Sequence, residues 1–228
     1  MSLKFLALCK DANKVLCKAS ARHIRLSSKK FIELKEDVKE WKQGLQETIK
    51  ILPNFVNEEE ETLLMEEIEP YMKNLKYEFD HWDDAIHGYR ETEWLRWNKH
   101  NSKIIDRIRT VAFPKGLPQL SLVHILDLSE KGWIKPHIDS VRFCGEIIAG
   151  LSLLTDSVMR FTLVGHEKEC YEDFLLPRRS LYIISGMARY KFNHEILKQK
   201  ESFYQDKPVI KTRRISVICR CEPNQDNN

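Results

Sequence analysis

The chain has 228 residues, is 42% hydrophobic, and sets 37 Lys and Arg against 34 Asp and Glu for a formal charge of +3. That length supports one well-buried core rather than two. No apolar run reaches about 18 residues, so a membrane-spanning helix is excluded.

The charge is uneven. Residues 1–30 carry eight basic side chains and one acid, Asp11, for +7, which leaves residues 31–228 at 3 minus 7, or −4. Lys10, Lys14 and Lys18 recur every four residues, and Phe5, Ala12 and Leu16 fall on the opposite side of a helix. With serines and almost no acid, residues 1–30 read as a mitochondrial transit peptide, which predicts the mitochondrial matrix. The remaining body has no field to hold it on a polyphosphate, so duplex DNA is not an expected partner.

Six cysteines, Cys9, Cys17, Cys144, Cys170, Cys219 and Cys221, form no C-x-x-C pair and no zinc spacing. They read as reduced thiols. Cys219 and Cys221 share a strand face and are expected to be small packing residues.

Apolar residues at Phe31, Leu34, Val38, Trp41, Leu45 and Ile49 predict an amphipathic helix from Phe31 to Leu52, stopped by Pro53. Asn57 followed by four glutamates predicts an N-capped helix start, with Pro70 bending or dividing that helix. Lys76 to Trp97, dense in aromatics and charge without a clear period, predicts an irregular or hairpin segment. Ser102 to Ala112 predicts a helix with Ile104, Ile105, Ile108 and Val111 on one stripe, ended by Pro114, Gly116 and Pro118.

After Pro118 short runs rich in Ile, Val, Leu, Phe and Tyr alternate with turns. They predict eight strands: Ser121–Leu128, Ile134–Asp139, Ile147–Leu154, Val158–Val164, Cys170–Leu175, Ser180–Ser185, Tyr190–Ile196 and Ile215–Cys221. Helices first and antiparallel strands afterwards predict an α+β jelly roll with N-terminal supporting helices. The polar residues 223–228 are an expected frayed tail.

Within those strands lie the residues that carry chemistry. His137 and Asp139, two apart on a strand, project from one face about 6–7 Å from each other. The pair alone is weak evidence for a metal site. His194 supplies a second imidazole from another strand, and two imidazoles with one carboxylate leave open the positions that let Fe(II) hold a co-substrate and O2 together. Zinc more often takes a third histidine or cysteine. Downstream, Arg214 and Arg220 share a face, and two inward arginines on one strand suit a dicarboxylate. Ser216 shares that face as well.

This ordered set, H-x-D, then H, then R-x5-R, resembles the AlkB-type Fe(II)/2-oxoglutarate oxygenases, built on a double-stranded β-helix. Segments such as "WIKPHIDS", "FCGEIIAGLSLL", "SLYIISGMARYKFNHEI" and "RRISVICR" carry the resemblance, which runs from about Leu45 to Glu222 and makes residues 31–222 the expected oxygenase domain. It implies that His137, Asp139 and His194 bind iron and that Arg214 takes the distal carboxylate of 2-oxoglutarate. Ser216 and Tyr182 would add hydroxyl donors, and Arg220 would lie by the 1-carboxylate. It further implies Fe(II), 2-oxoglutarate and O2 as reactants, with decarboxylation of 2-oxoglutarate driving oxidation of a C–H or N-methyl group. One departure stands out: where related enzymes carry N-x-Y on the strand before the metal motif, this chain reads "HILDL" (His124 to Leu128). His124 is expected to be structural.

For the substrate, the aromatics between Lys76 and Lys99 are offset by six acids against four bases, which repels phosphate. The basic residues Lys198, Lys200, Lys207, Lys211 and Arg213 offer a local contact for RNA. The resemblance implies an open site suited to a protein or mitochondrial RNA, with links to fatty-acid metabolism and regulated necrosis. The competing expectation is a jelly-roll binding module that acts through protein partners on its acidic helices.

Overall fold

The computed structural model describes residues 40–79 and 85–223. The expected leader (1–30), residues 31–39 and the last five residues of the expected tail lie outside the described residues. One compact unit runs from Gly44 onward.

Residues 40–48 are helical (α1), but the helix expected to reach Leu52 stops there. Ile49–Leu52 is a strand, β1, paired antiparallel with Ser180–Ile184, β7. β-branched residues at 48, 49 and 51 beside an open sheet edge settle that competition in favour of the strand. Helix α2 (Glu58–Met72) begins as expected, in a capping box between Asn57 and Glu60. It runs through Pro70 rather than dividing there. Pro70 sits in the last turn, so it forfeits one bond, to the Glu66 carbonyl, and little helix remains beyond it to be displaced. Helix α3 (Lys99–Ala112) buries Asn101, Ile104, Ile105, Ile108 and Ala112, while Val111 is exposed. The stripe therefore leans one residue away from the expected one. Among the described residues no helix is long and apolar enough to cross a membrane.

The remaining strands are β2 (Ile86–Trp94), β3 (Val123–His137), β4 (Ile148–Leu153), β5 (Ser157–Leu163), β6 (Tyr171–Leu176), β8 (Phe192–Ile196), β9 (Phe203–Tyr204), β10 (Lys207–Pro208) and β11 (Arg214–Arg220). A short helix, α4 (Gly186–Tyr190), takes the start of what the sequence suggested as the strand Tyr190–Ile196. Apart from the small β9–β10 hairpin, the strands form one sheet in the order β1-β7-β4-β11-β3-β8-β5-β6, with β2 added on β3. The result is an antiparallel, nearly closed double-stranded β-helix with supporting helices.

Two expected strands, Ser121–Leu128 and Ile134–Asp139, are one 15-residue strand. Gly132 lies inside this strand, where β2 bulges between His87 and Tyr89. Gly88 takes φ +63 there, and a Cβ on Gly132 would stand 2.5 Å from the Gly88 carbonyl oxygen. The two glycines let the strands close in across the bulge. β2 itself, 9 residues long, lies within the segment expected to be irregular or a hairpin, where its charged side chains hide the alternation.

Alternation along β11, β4 and β7 divides the sheet into two faces. Ile215, Val217, Cys219, Ala149, Leu151, Leu153, Leu181 and Ile183 join Leu64, Ile68, Ile104 and Ile108 of the two long helices in the main apolar cluster. The other face, freed from supporting the helices, is available for a cavity.

Candidate active site

The face opposite that cluster is set by register. β11 and β3 place Arg214 opposite Leu128, Ser216 opposite Leu126 and Ile218 opposite His124. β11 and β4 place Ser216 opposite Ser152, Ile218 opposite Gly150 and Arg220 opposite Ile148. β4 and β7 place Gly150 opposite Tyr182. Arg214, Ser216, Arg220 and Tyr182 therefore face one another across three strands. On the far side of β3, His137 pairs with His194 of β8.

All seven residues singled out in the sequence, His137, Asp139, Tyr182, His194, Arg214, Ser216 and Arg220, line one cavity of about 560 Å³ counting its open mouth. Apolar residues including Leu126, Ile134, Ile148, Met159, Ile184 and Ile218 complete the wall. An apolar recess with a few convergent polar groups is the form of a small-ligand site.

Asp139 differs in one respect from expectation. β3 ends at His137, so Asp139 is on the following loop rather than on the strand. The loop still returns its carboxylate to the histidines: Oδ1 lies 3.2 Å from His137 Nε2 and 3.7 Å from His194 Nε2. One ligand atom from each of the three residues falls within 4.8 Å of the others. What holds the loop is Arg189, buried on α4, whose guanidinium donates to the carbonyls of Asp139 (2.7 Å), Gly145 (3.0 Å) and Cys144 (3.1 Å). Sequence reasoning missed Arg189, and only its position inside an otherwise apolar segment hinted at it.

The electrostatics fit a cation among these three groups. His137 Nδ1 donates to the Lys135 carbonyl at 2.9 Å, which fixes the ring so that Nε2 is the atom turned to Asp139. Burial opposes the charged form of Asp139, yet His137, Arg220 and His194 outweigh it and hold the carboxyl well below its usual range. Burial, then the neighbouring His137, pushes His194 down to about 3. A His194 ring kept neutral by burial, an ionised Asp139 carboxylate and the His137 ring converge, which is a donor set that suits a metal ion.

The arginines present a different chemistry. Arg214 is 1% exposed and donates Nε to Ser152 Oγ at 3.0 Å, while its buried Nη2 has no hydrogen-bond partner. Burial lowers its pKa, opposed by Tyr182. No carboxylate from the described chain pairs with it, so a buried cation and an unmet donor ask for an anion. Tyr182 and Ser216 share a hydrogen bond of 3.0 Å beside it. Arg220 donates Nε to Asp139 Oδ2 at 3.3 Å and Nη1 to His124 Nδ1 at 3.1 Å.

Two further residues were invisible as site residues in the sequence. Ser152 gives Arg214 its neutral acceptor. Gly150 leaves room for Tyr182, since a Cβ there would collide with the Tyr182 ring and hydroxyl.

Two residues of the expected RNA contact are consumed by the fold, while Lys200 and Lys207 are exposed. Lys211 is buried, with Nζ on the carbonyls of Ser129 (3.0 Å) and Glu130 (2.9 Å). Arg213 pairs with Asp127 and Glu69, each at 2.7 Å. Lys198 lies 3.7 Å from the Trp133 ring centroid.

No family model matches the chain. Among curated proteins it is 49% identical over 179 residues to "Alpha-ketoglutarate-dependent dioxygenase alkB homolog 7, mitochondrial" of Bos taurus, covering 78% of this chain and 80% of that protein. The protein of the same name from Mus musculus is 51% identical over 171 residues, covering 75% and 77%. Solved structures share the fold at low identity. The structure of OsALKBH1 has a TM-score of 0.56 at 12% identity and covers 76% of this chain and 97% of that one. A Pseudomonas putida prolyl-4-hydroxylase has a TM-score of 0.52 at 12% identity and covers 78% and 93%.

Proposed function

The chain belongs to the AlkB-type alpha-ketoglutarate-dependent dioxygenases, enzymes of Fe(II), 2-oxoglutarate and O2, and on that premise we propose that His137, Asp139 and His194 hold the iron while Arg214, Ser216, Tyr182 and Arg220 receive 2-oxoglutarate. One observation carries this reading: the seven side chains, four elements and one loop apart in sequence, line a single cavity.

Each residue fits its role. The Nε2 atom of His137 and the carboxylate of Asp139 would repel one another at 3.2 Å unless a proton or a shared cation lies between them. Arg214, buried with an unmet donor, takes the distal carboxylate, and the hydroxyls of Ser216 and Tyr182 add short polar contacts. Arg220 reaches from the iron side, already bonded to Asp139, toward the 1-carboxylate. Leu126, Ile134, Ile148 and Ile218 keep water from the reacting end. Bound among these groups, Fe(II) supplies the O2-dependent chemistry that couples decarboxylation of 2-oxoglutarate to oxidation of a substrate C–H or N-methyl group. The protein's part is orientation and an open coordination position.

The substrate class we propose is a protein side chain or a mitochondrial RNA, met in the mitochondrial matrix; the names of both mammalian relatives support the mitochondrion, and the matrix is part of the proposal. The fold's own use of Lys211 and Arg213 favours the protein. Links to fatty-acid metabolism and regulated necrosis enter here as part of the same proposal, resting on resemblance.

Purified protein loaded anaerobically with Fe(II) is expected, on admission of oxygen, to form succinate from 2-oxoglutarate slowly alone and faster with mitochondrial protein extract or RNA. Asp139→Ala is expected to lose both rates. If the wild-type rates do not exceed those of Asp139→Ala, the oxygenase reading of this site is wrong and the binding-module alternative takes its place.

A further inference from the structure

β11, β3 and β2 are neighbours, and each contributes one polar residue to a chain that leads away from the cavity. Arg220 sits diagonally across from His124, whose direct partner on β11 is Ile218. Glu91 sits diagonally across from His124 on the other side, where the direct partner is Glu93. Diagonal neighbours on a sheet face are within reach of long side chains. The distances close the chain: Arg220 Nη1 to His124 Nδ1 is 3.1 Å, and His124 Nε2 to Glu91 Oε2 is 2.9 Å.

A guanidinium only donates, so His124 Nδ1 must accept. The ring is then neutral with its proton on Nε2, and that proton goes to the Glu91 carboxylate. Glu91 thus fixes the tautomer that leaves a lone pair for Arg220. Arg220 is held at two edges, by His124 at Nη1 and by Asp139 Oδ2 at Nε, 3.3 Å away. Two anchors set the plane of the guanidinium, and its remaining N–H donors stay available to a ligand. Of the residues that the first half of β3 turns to this face, His124, Leu126 and Leu128, only His124 bears a polar side chain. No other residue of that strand segment facing this way can serve Arg220.

We propose that His124, oriented by Glu91, is the positioning residue for Arg220, and so sets the angle at which that arginine meets Asp139 and the co-substrate carboxylate. This deepens the site reading above and rests on it. His124 acts through Arg220 and is not itself a catalytic residue.

Asparagine and glutamine separate the two ends of the imidazole. His124→Asn places an amide oxygen near the former Nδ1 and keeps an acceptor for Arg220. His124→Gln reaches toward Glu91 and leaves Arg220 without that acceptor. His124→Leu removes both. Anaerobic titration of the Fe(II)-loaded protein with 2-oxoglutarate, followed by its visible charge-transfer absorbance, reads binding without turnover. Loss of a hydrogen bond to a charged group predicts roughly 10- to 100-fold weaker binding in His124→Gln and His124→Leu. His124→Asn should recover to within about threefold, at the same level of energetic resolution. In turnover the same variants should raise KM for 2-oxoglutarate with kcat largely kept, and thermal melting should show the Asn and Gln variants equally folded. Equal binding in the Asn and Gln variants, whether both tight or both weak, overturns the proposal. A wild-type protein that gives no 2-oxoglutarate-dependent band fails differently: it removes the site reading itself, and this inference with it.

Discussion

Gly150 tests the packing that forms the cavity. It stands on β4 opposite Tyr182 and Ile218, and an added Cβ would overlap the Cζ, hydroxyl and Cε1 atoms of Tyr182. Its backbone is ordinary strand, so Gly150→Ala brings no dihedral strain, and any cost comes from the collision. Tyr182 is 5% exposed and cannot move aside into solvent. Overpacking of this kind costs about 1–3 kcal/mol, and losing the Tyr182–Ser216 hydrogen bond adds about 1 kcal/mol. The sum, about 2–4 kcal/mol, corresponds to a drop of roughly 5–15 °C in Tm for a domain of this size. Urea denaturation of Gly150→Ala, Tyr182→Leu and the double variant closes the cycle. Leucine lacks the ring tip, so in that background Gly150→Ala is expected to cost under about 0.5 kcal/mol, a coupling larger than additivity allows. A single Gly150→Ala variant as stable as wild type, or a double variant with no coupling, would show that the Tyr182 ring does not depend on the missing Cβ.

Other expectations follow from the charges in the cavity. Arg214→Met removes a buried cation with no anion of its own, so the ligand-free protein should keep or gain stability, by up to about 1–4 kcal/mol, while affinity for 2-oxoglutarate falls by roughly 10- to 100-fold. Chemical denaturation and the anaerobic titration read the two halves, and a loss of more than about 1 kcal/mol without ligand would contradict the first. Acid should destabilise the metal-free protein. The unfolded chain protonates His194 as pH falls through its ordinary 6.5, but the folded ring resists until about 3, so stability is lost across that window, about 3 kcal/mol by pH 4. Asp139 acts in the same direction lower down, because its folded pKa is also depressed and its stabilising charge is lost as the pH falls. His194→Asn should flatten the slope of the urea midpoint between pH 6.5 and 4; an unchanged slope would place the acid-sensitive group elsewhere.

What could be read in the sequence follows from periodicity. Arg214, Ser216 and Arg220 sit at even spacing, so a strand assignment alone puts them on one face, and register then aims that face at Tyr182. His137 and His194 needed only to lie on strands that pair. Chemistry-bearing residue types in a period-two pattern are therefore visible without coordinates. The helix start at Asn57 was visible for a local reason too, since a cap is a short-range signal.

The residues that escaped notice are those whose role depends on a partner distant in the chain. Arg189 looks like any basic residue on a short helix, and only the fold brings it to the carbonyls of Asp139, Cys144 and Gly145. Gly150 matters because of Tyr182 and Ser152 because of Arg214; His124, expected from the sequence to be structural, meets Glu91 and Arg220 only because the fold brings them to either side of it. The same logic explains β1. Ile49 to Leu52 continues a helical stripe, and its β-branched residues prevail over that stripe only because β7 presents an edge to pair with. Local pattern thus announces the groups proposed to hold iron and 2-oxoglutarate, whereas the groups that contact and place them are specified by pairing. A substitution survey confined to H-x-D, H and R-x5-R would therefore test the proposed ligands and pass over the residues packed behind them, and the His124 variants are the direct measure of what such a survey leaves out.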